Sequence, residues 1–187
     1  MNWIEIKNED YHPIQCMDGI GNVHHLMFSP VEIEKEPTEE EPNPGDTKVI
    51  FVRTEEAPNV EKVRNILSNL IKEYDKSNEV NYFNYKTYRY WFNREERLAI
   101  THKFQVLLNK EEQYGLVWFG SRPYEVEVVK MLDFLEELEL YAIQCNDITK
   151  QHLNEIKSID NIDDLIRFDI TKDYPKGITM NVLTFKQ

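Results

Sequence analysis

The spacing of hydrophobic residues along the chain predicts which segments are helices. In residues 58–74, apolar positions recur at intervals of three and four, which places them on one face of an α-helix. A second helix is predicted to begin after Asn93, because Glu96 three residues later completes the pattern of a capping box. The longest periodic segment, residues 128–145, predicts a third helix with a glutamate-rich outer face. Two shorter helices are predicted within residues 146–166, starting at Asn or Asp caps.

Segments of alternating or β-branched residues predict strands elsewhere. Residues 2–34 contain four such segments, and the sequence Asp-Gly-Ile-Gly-Asn at residues 18–22 supplies a turn between them. A small antiparallel β-meander is therefore predicted. Residues 47–53 predict a further strand by their β-branched and aromatic content. The segments 116–119 and 124–128 flank a Gly-Ser-Arg-Pro turn and predict a β-hairpin.

Residues 35–46 contain three prolines and five acidic residues, with no apolar side chain to bury. This composition predicts an extended, self-repelling linker. We therefore expect an N-terminal β-meander at residues 1–34 that acts as an attachment element, the linker, and a larger domain at residues 47–187 with helices packed on a small, mostly antiparallel sheet. The predicted fold class is α+β. The alternative is that residues 47–52 pair with residues 23–28 across the linker, so that both regions share one core.

Residues 80–92 hold seven aromatic side chains in thirteen positions. The first interpretation is that the protein's own helices cover both faces of this segment. Tyrosine and tryptophan also combine a large apolar area with a polar tip, which makes them frequent in protein interfaces and on sugar platforms. An interface between subunits and a carbohydrate platform therefore remain open as alternatives. The candidate partner-interface residues are Tyr82, Tyr85, Tyr88, Tyr90 and, in the N-terminal sheet, Trp3.

The N-terminal region contains a group of side chains that are common zinc ligands. The group consists of His12, Cys16, His24 and His25. Its spacing fits no compact metal motif, and adjacent residues of a strand point to opposite faces. The sequence therefore predicts no metal site and no cofactor.

Two further groups could in principle perform catalysis, and for each the pattern favours a structural role. Cys145 with His152 could form a nucleophile and a base, but Cys145 continues the apolar stripe of the third helix and is expected to be buried and inert. Glu136, Glu137 and Glu139 lie on one solvated helix face, whereas glycosidic cleavage needs two carboxyl groups across a cleft. The protein is therefore predicted not to be an enzyme, and no catalytic residue is assigned.

The formal net charge is −12, from 34 acidic and 22 basic residues. A nucleic-acid surface needs clustered lysine and arginine to displace counterions from phosphates, so no nucleic-acid partner is expected. The apolar clusters are interrupted by Asp or Glu every few residues, and no membrane segment is expected. The two cysteines lie far apart, and the chain begins without a cationic and apolar leader, so we expect synthesis in a reducing cytoplasm.

A series of spaced residues in the second half of the chain carries a resemblance to a known family. The series is Asn81, Phe83, Trp91, Arg97, Trp118, Met131, Leu132, residues 138–142, Cys145, Thr149, His152, Tyr174 and Pro175. It resembles the pattern of an uncharacterised domain family encoded by tailed bacteriophages and prophages, over residues 75–180. The resemblance implies where the protein acts, in a bacteriophage particle, but it implies no established chemical activity.

The resemblance implies a non-enzymatic structural protein of the bacteriophage virion, an adaptor in the tail, baseplate or fibre-attachment region. It would be made in the bacterial host cytoplasm and would bind other phage tail or virion proteins, such as the tail fibre, within an oligomeric assembly. The alternatives are a tail-fibre assembly chaperone that is absent from the mature particle, and a glycan-binding receptor module. The predicted core anchors of the domain are Trp91, Trp118, Leu138, Tyr141 and Cys145.

Overall fold

The structure, a computed structural model, divides into two compact units. It describes residues 1–17, 23–34, 45–55, 57–119 and 121–181. Unit 1 consists of the described residues of Met1–Asp75 and Ile148–Asp173, and unit 2 consists of those of Lys76–Asp147 together with those from Tyr174 onward. Each unit combines helix with small sheets, so the protein is α+β, as the sequence predicts.

Unit 1 is built on a four-stranded sheet with the strand order β1-β4-β3-β2, in which every neighbouring pair is antiparallel. Its strands are β1 (Trp3–Lys7), β2 (Ile14–Met17), β3 (Val23–Glu34) and β4 (Gly45–Thr54). Its helices are α1 (Val60–Asp75), the last part of α3 (Val128–Glu155) and α4 (Ile162–Arg167), with 3₁₀ turns at Asn8–Asp10 and Ile156–Ser158.

One face of this sheet forms the core of unit 1. Leu26 pairs with Val52, and Phe28 pairs with Ile50, so these four side chains lie on the same face of β3 and β4. They pack in one cluster with the apolar residues of α1 and α4, as the helical periodicity of residues 58–74 predicts for α1. The start of α1 is capped by Asn59, whose side-chain oxygen accepts a hydrogen bond from the Lys62 amide at 2.9 Å.

The pairing of β3 with β4 corrects the predicted domain boundary. β3 belongs to the predicted attachment element at residues 1–34, and most of β4 belongs to the predicted domain at residues 47–187, yet they pair from His24–Thr54 to Glu34–Gly45. The alternative arrangement, with one shared core, is therefore the one observed. The physical reason is that β4 is flanked by β1 and β3, so the N-terminal strands satisfy its backbone on both edges.

Most of the predicted linker and the predicted turn lie outside the described residues. Of residues 35–46, the structure describes Gly45 and Asp46, which belong to β4. Residues 18–22 are not among those described.

A bulge in β3 connects the N-terminal sheet to the segment after α4. The register shifts between Phe28 and Val31, and Ser29 has a φ of 53°, a left-handed conformation that is uncommon for residues other than glycine. The buried Ser29 hydroxyl oxygen accepts a hydrogen bond from the Ile170 amide at 3.1 Å. The first and last parts of unit 1 are therefore joined directly.

Unit 2 combines two small sheets with two helical segments. Its elements are β5 (Phe83–Tyr85), β6 (Tyr88–Tyr90), α2 (Arg94–Asn109), β7 (Tyr114–Phe119), β8 (Arg122–Glu127), the first part of α3, and β9 (Ile178–Thr179). β5 pairs antiparallel with β6 and parallel with β9, while β7 and β8 form the predicted hairpin. α2 begins with the predicted capping box, since the Asn93 side chain accepts from the Glu96 amide at 2.9 Å and the Glu96 carboxylate accepts from the Asn93 amide at 2.8 Å.

The core of unit 2 is rich in aromatic rings. Phe92 stacks on Phe119 with ring centroids 5.6 Å apart, and Phe83 lies 5.1 Å from Phe92. α2 approaches β7 so closely that a Cβ atom at Gly115 would lie 2.6 Å from Leu107 Cδ1. It would also lie 2.8 Å from Cε1 of the fully buried Phe104 ring, so a larger residue would displace side chains of α2, and glycine allows α2 to pack on the inner face of the hairpin.

The predicted helix break after Cys145 is absent, because α3 continues as one helix to Glu155. Asn146 and Asp147, the predicted caps, are exposed within it. Buried positions continue at helical spacing through Thr149, His152 and Ile156. Burial of this continuing stripe outweighs the weak preference of Asn and Asp for helix ends.

Candidate functional site

Part of the predicted partner interface lies in the core of unit 2. The Tyr85 ring is buried and stacks on Phe119 with centroids 5.7 Å apart. Tyr90 is half-buried against the same cluster, with its ring 5.0 Å from Phe119. The prediction of Tyr85 as an interface residue is corrected, since a ring buried by its own unit has no surface to offer a partner. Tyr85 and Tyr90 are covered by their own unit, as the first interpretation predicts, but the rings of Phe119 and Tyr124 that contact them belong to the hairpin and not to a helix.

The other three predicted interface residues have different surroundings. Tyr82 is half-buried, and its hydroxyl oxygen accepts a hydrogen bond from the Gly177 amide at 3.2 Å. The Arg89 guanidinium lies 4.3 Å from the centre of the Tyr82 ring. Tyr88 is exposed, whereas Trp3 is half-buried and packs against the core of unit 1. The predicted residues therefore do not form one continuous surface.

The predicted core anchors on α3 are buried. Leu138, Tyr141 and Cys145 have almost no exposed surface, and the Tyr141 hydroxyl donates a hydrogen bond to the Val80 carbonyl oxygen. Trp91 is half-buried beside them, with its ring edge-on to Tyr141 at a centroid distance of 6.1 Å. The contact between Trp91 and Tyr141 packs the segment that precedes α2 against α3 within unit 2.

Trp118 is exposed, which corrects its prediction as a core anchor. The residues of β7 alternate between a buried and an exposed side, as expected for a strand with one covered face. Tyr114, Leu116 and Trp118 lie on the exposed side, with 41%, 49% and 56% of their surface accessible. Gly115 and its inward neighbours face α2 and the aromatic core instead.

The exposed side of the hairpin carries an apolar row beside an acidic row. Across the strands, Tyr114 pairs with Glu127, Leu116 pairs with Glu125, and Trp118 pairs with Pro123. Residues directly opposite each other in an antiparallel pair share a face of the sheet. These six residues are called the outward face below. They bring three large apolar side chains and two carboxylates together on one surface.

A surface groove of about 540 Å³ adjoins the outward face at Tyr114 and Glu127. Its apolar lining comes from Leu108 near the end of α2, from Tyr114, and from Val128 and Val129 at the start of α3. Its polar lining comes from Gln113 and from the carboxylates of Glu111, Glu112 and Glu127. Glu111 has a φ of 59°, so the chain turns there in the left-handed conformation that commonly ends a helix.

An ion pair that sequence patterns did not reveal joins the buried Arg97 of α2 to the partly exposed Glu139 of α3. Arg97 is buried, and its Nε donates a hydrogen bond to the Glu139 carboxylate at 2.6 Å. Its Nη1 donates to the Phe92 carbonyl oxygen at 2.8 Å, and its guanidinium lies 5.2 Å from the centre of the Trp91 ring. Glu139 is therefore a structural partner of α2 and not simply part of a solvated face. The first turn of α2 is polar, so the sequence does not distinguish Arg97 from its exposed neighbours. The ion pair is visible only from the contact in the structure.

The residues considered for catalysis lie in two different environments on α3. Cys145 and His152 are both buried, and burial together with the Lys172 ammonium lowers the pKa of His152. Glu136 and Glu137 are exposed on α3. Among the described residues, no group of three or more His, Cys, Asp or Glu side chains is arranged to hold a metal ion. Within the described part of the chain, the outward face and the adjoining groove offer an exposed surface that combines apolar and acidic side chains.

Comparison with protein-family models, with curated proteins and with solved structures found no match to this chain. The bacteriophage context stays a prediction from the residue series given above. Within the described ranges, no helix has the length and apolar character needed to cross a membrane.

Proposed function

We propose that this protein is a non-enzymatic adaptor that binds another protein through the outward face of the hairpin. One observation carries the proposal: Tyr114, Leu116 and Trp118 project side by side from β7, and each is at least 41% exposed. Single exposed apolar residues are ordinary in folded proteins, but a contiguous row that includes two aromatic rings is typical of an interaction surface. Tryptophan and tyrosine are also the residues that most often dominate the energy of protein interfaces.

The distribution of exposed apolar side chains supports unit 2 as the binding part. Of the twelve large hydrophobic residues found exposed in the described part of the chain, ten lie in unit 2. The two in unit 1 are Met1 and Val31. Unit 1 therefore buries its apolar surface more completely, and unit 2 retains apolar surface that a partner can cover.

In the context that the resemblance implies, the partner is another protein of a bacteriophage tail. The protein would then be a virion component of the tail, baseplate or fibre-attachment region, within an oligomeric assembly. A tail-fibre assembly chaperone would use the same surface but would leave before the particle is complete. The glycan-binding alternative depended on the aromatic residues of 80–92, several of which lie in the core of unit 2.

A comparison of variants in purified particles tests the proposal. The variant Leu116→Ser/Trp118→Ser removes the apolar row, and Leu140→Ser/Ile143→Ser removes two exposed apolar residues from α3 as a matched control. We expect quantitative mass spectrometry of particles to find wild-type protein and the control at one fixed ratio to tail proteins, and the outward-face variant reduced at least tenfold.

Two other outcomes of the particle experiment would change the proposal in different ways. Wild-type protein that occurs with tail-fibre intermediates but not in finished particles would identify the chaperone. Wild-type protein absent from both would overturn the bacteriophage context. If the outward-face variant were incorporated as well as wild type, the assignment of the binding surface would be wrong.

A further inference from the structure

We infer that the groove beside Tyr114 receives a basic side chain, arginine or lysine, from the protein that covers the outward face. The inference rests on the proposed function and specifies the chemistry of the partner. It depends on three observations: the composition of the groove, its position next to the apolar row, and the charge of the chain.

The groove offers both surfaces that a long basic side chain needs. Leu108, Val129 and the Tyr114 ring provide apolar contacts for the methylene groups of an arginine or lysine. Glu111, Glu112 and Glu127 provide carboxylates for its charged end, and the residues that line the groove include neither lysine nor arginine. Charge complementarity therefore favours a cation.

Intramolecular pairing accounts for one of the three carboxylates. Lys130 Nζ lies 2.7 Å from Glu127 Oε1, so this carboxylate already has a cationic neighbour. Glu111 and Glu112 follow Lys110, the residue that caps the end of α2, at the point where the chain turns toward β7. The charged end of an incoming side chain is therefore expected to bind mainly at these two residues.

The groove and the outward face form one continuous surface, because Tyr114 and Glu127 belong to both. Trp118 and Tyr114 are four residues apart on β7, which corresponds to about 13 Å along a strand. A partner segment can therefore place one apolar side chain on Trp118, a second on Leu116 and a basic side chain in the groove. This requires about 13 Å between the side chain on Trp118 and the basic side chain. In an extended segment, that distance corresponds to four residues.

The overall charge argues that the occupant comes from a different protein. The formal net charge of the chain is −12, so a second copy would approach this acidic surface against electrostatic repulsion. A basic partner would be attracted to it at low salt, and the attraction would weaken as salt is raised.

The test uses the full-length protein and the peptide acetyl-Leu-Thr-Leu-Thr-Arg-amide, whose first, third and fifth side chains share one side when it is extended. A second peptide carries citrulline, which is uncharged and nearly isosteric, in place of arginine. Backbone amide shifts in an NMR titration report on residues 111–118 and on residues 127–129. We expect the arginine peptide to bind at least tenfold more tightly than the citrulline peptide and to shift the groove amides.

Two protein variants with equal changes in charge make the test specific. Glu111→Gln/Glu112→Gln should reduce binding of the arginine peptide to the level of the citrulline peptide. Glu136→Gln/Glu137→Gln, which changes two exposed carboxylates on α3 that do not line the groove, should leave binding within about twofold of wild type, because solvent and salt screen charges that do not contact the ligand. An equal loss in both variants would overturn the inference, because it would show a general effect of charge.

The peptide pair also separates the two proposals. If both peptides bound equally and shifted only the amides of 114–118, the outward face would be a docking surface and the basic-side-chain site would be wrong. If neither peptide shifted amides of the outward face or the groove at millimolar concentration, both proposals would fail for partners of this kind.

Discussion

Replacement of Phe28 by alanine tests whether the N-terminal strands belong to the core of unit 1. Phe28 is fully buried, pairs with Ile50 across the sheet, and lies in the same cluster as the apolar faces of α1 and α4. Truncation of a buried phenylalanine removes its apolar contacts and leaves a cavity, at a cost of about 3–5 kcal/mol. We expect Phe28→Ala to lower the free energy of unfolding by this amount.

The expected loss is large beside the roughly 5–15 kcal/mol by which native proteins are stable. For a protein of this size, 1 kcal/mol corresponds to about 2–4 °C in the thermal midpoint, so the midpoint should fall by roughly 6–20 °C. Val31→Ala on the same strand is the control, because the Val31 side chain is exposed and its loss should change stability by less than about 1 kcal/mol. Urea denaturation followed by circular dichroism measures both values.

Hydrogen exchange shows where the destabilisation acts. In Phe28→Ala, the amides of α1 and α4 should lose protection, because their apolar faces pack in the same cluster as Phe28. Wild-type protection in both helices, together with an unchanged urea midpoint, would refute the reasoning. That result would restore an independent attachment element at residues 1–34.

Three further predictions concern α3. Cys145 is buried, so a bulky thiol reagent should modify it only when the protein unfolds. In a Cys16→Ser variant, which removes the other cysteine, rapid labelling in native buffer would contradict the buried position of Cys145. Glu139→Gln removes a charged hydrogen-bond acceptor from Arg97 and should lower the free energy of unfolding by about 1–3 kcal/mol. The loss should be at the lower end of this range, because the Glu139 side chain is 47% exposed. An unchanged urea midpoint would contradict this prediction. Burial lowers the pKa of His152 in the folded state, with Lys172 acting in the same direction and Glu155, Asp169 and Asp173 opposing it. The ordinary pKa of histidine is 6.5, so below pH 6.5 the unfolded chain binds a proton at this residue more readily than the folded protein does. The stability is therefore fully present above pH 6.5 and decreases as the pH falls below it, by at most about 1.4 kcal/mol per pH unit for one group. His152→Leu should remove this part of the pH dependence, and urea midpoints measured from pH 5 to 7 would show if it persists.

Local features of the fold were predictable from the sequence, and long-range strand pairing was not. The capping box at Asn93 and Glu96 depends on residues three positions apart, and the apolar stripe of α1 lies within a single helix. The pairing of β3 with β4 joins strands on either side of a proline-rich, acidic segment. The alternation of polar and apolar residues in one strand does not specify which strand it pairs with. The composition of residues 35–46 therefore predicted a tether, whereas the strands on either side of it pair in one sheet.

The outward face was not predicted because the sequence of β7 does not show which of its sides is exposed. Its sequence, Tyr-Gly-Leu-Val-Trp-Phe, has no charged residue to mark the exposed side, and large size suggested that Trp118 was in the core. The face that becomes buried is decided by packing, since Gly115 admits the side chains of Phe104 and Leu107 from α2. Glu125 and Glu127 on β8 alternate with buried residues, and this alternation is the signal that could have identified the outward side.

The division of the chain into units has a consequence for protein synthesis. Unit 1 begins with Met1–Asp75 but needs Ile148–Asp173, which contains α4 and the Ile170 amide that binds Ser29. At about 5–20 residues per second, roughly 5–20 s separate the synthesis of Asp75 from that of Asp173. During that time the apolar face of the first sheet lacks the side chains of α4. Unit 2 also draws on residues after Tyr174, such as Met180 in its core. Premature termination after Asp147 would therefore leave two incomplete cores, and not one finished unit with the other missing.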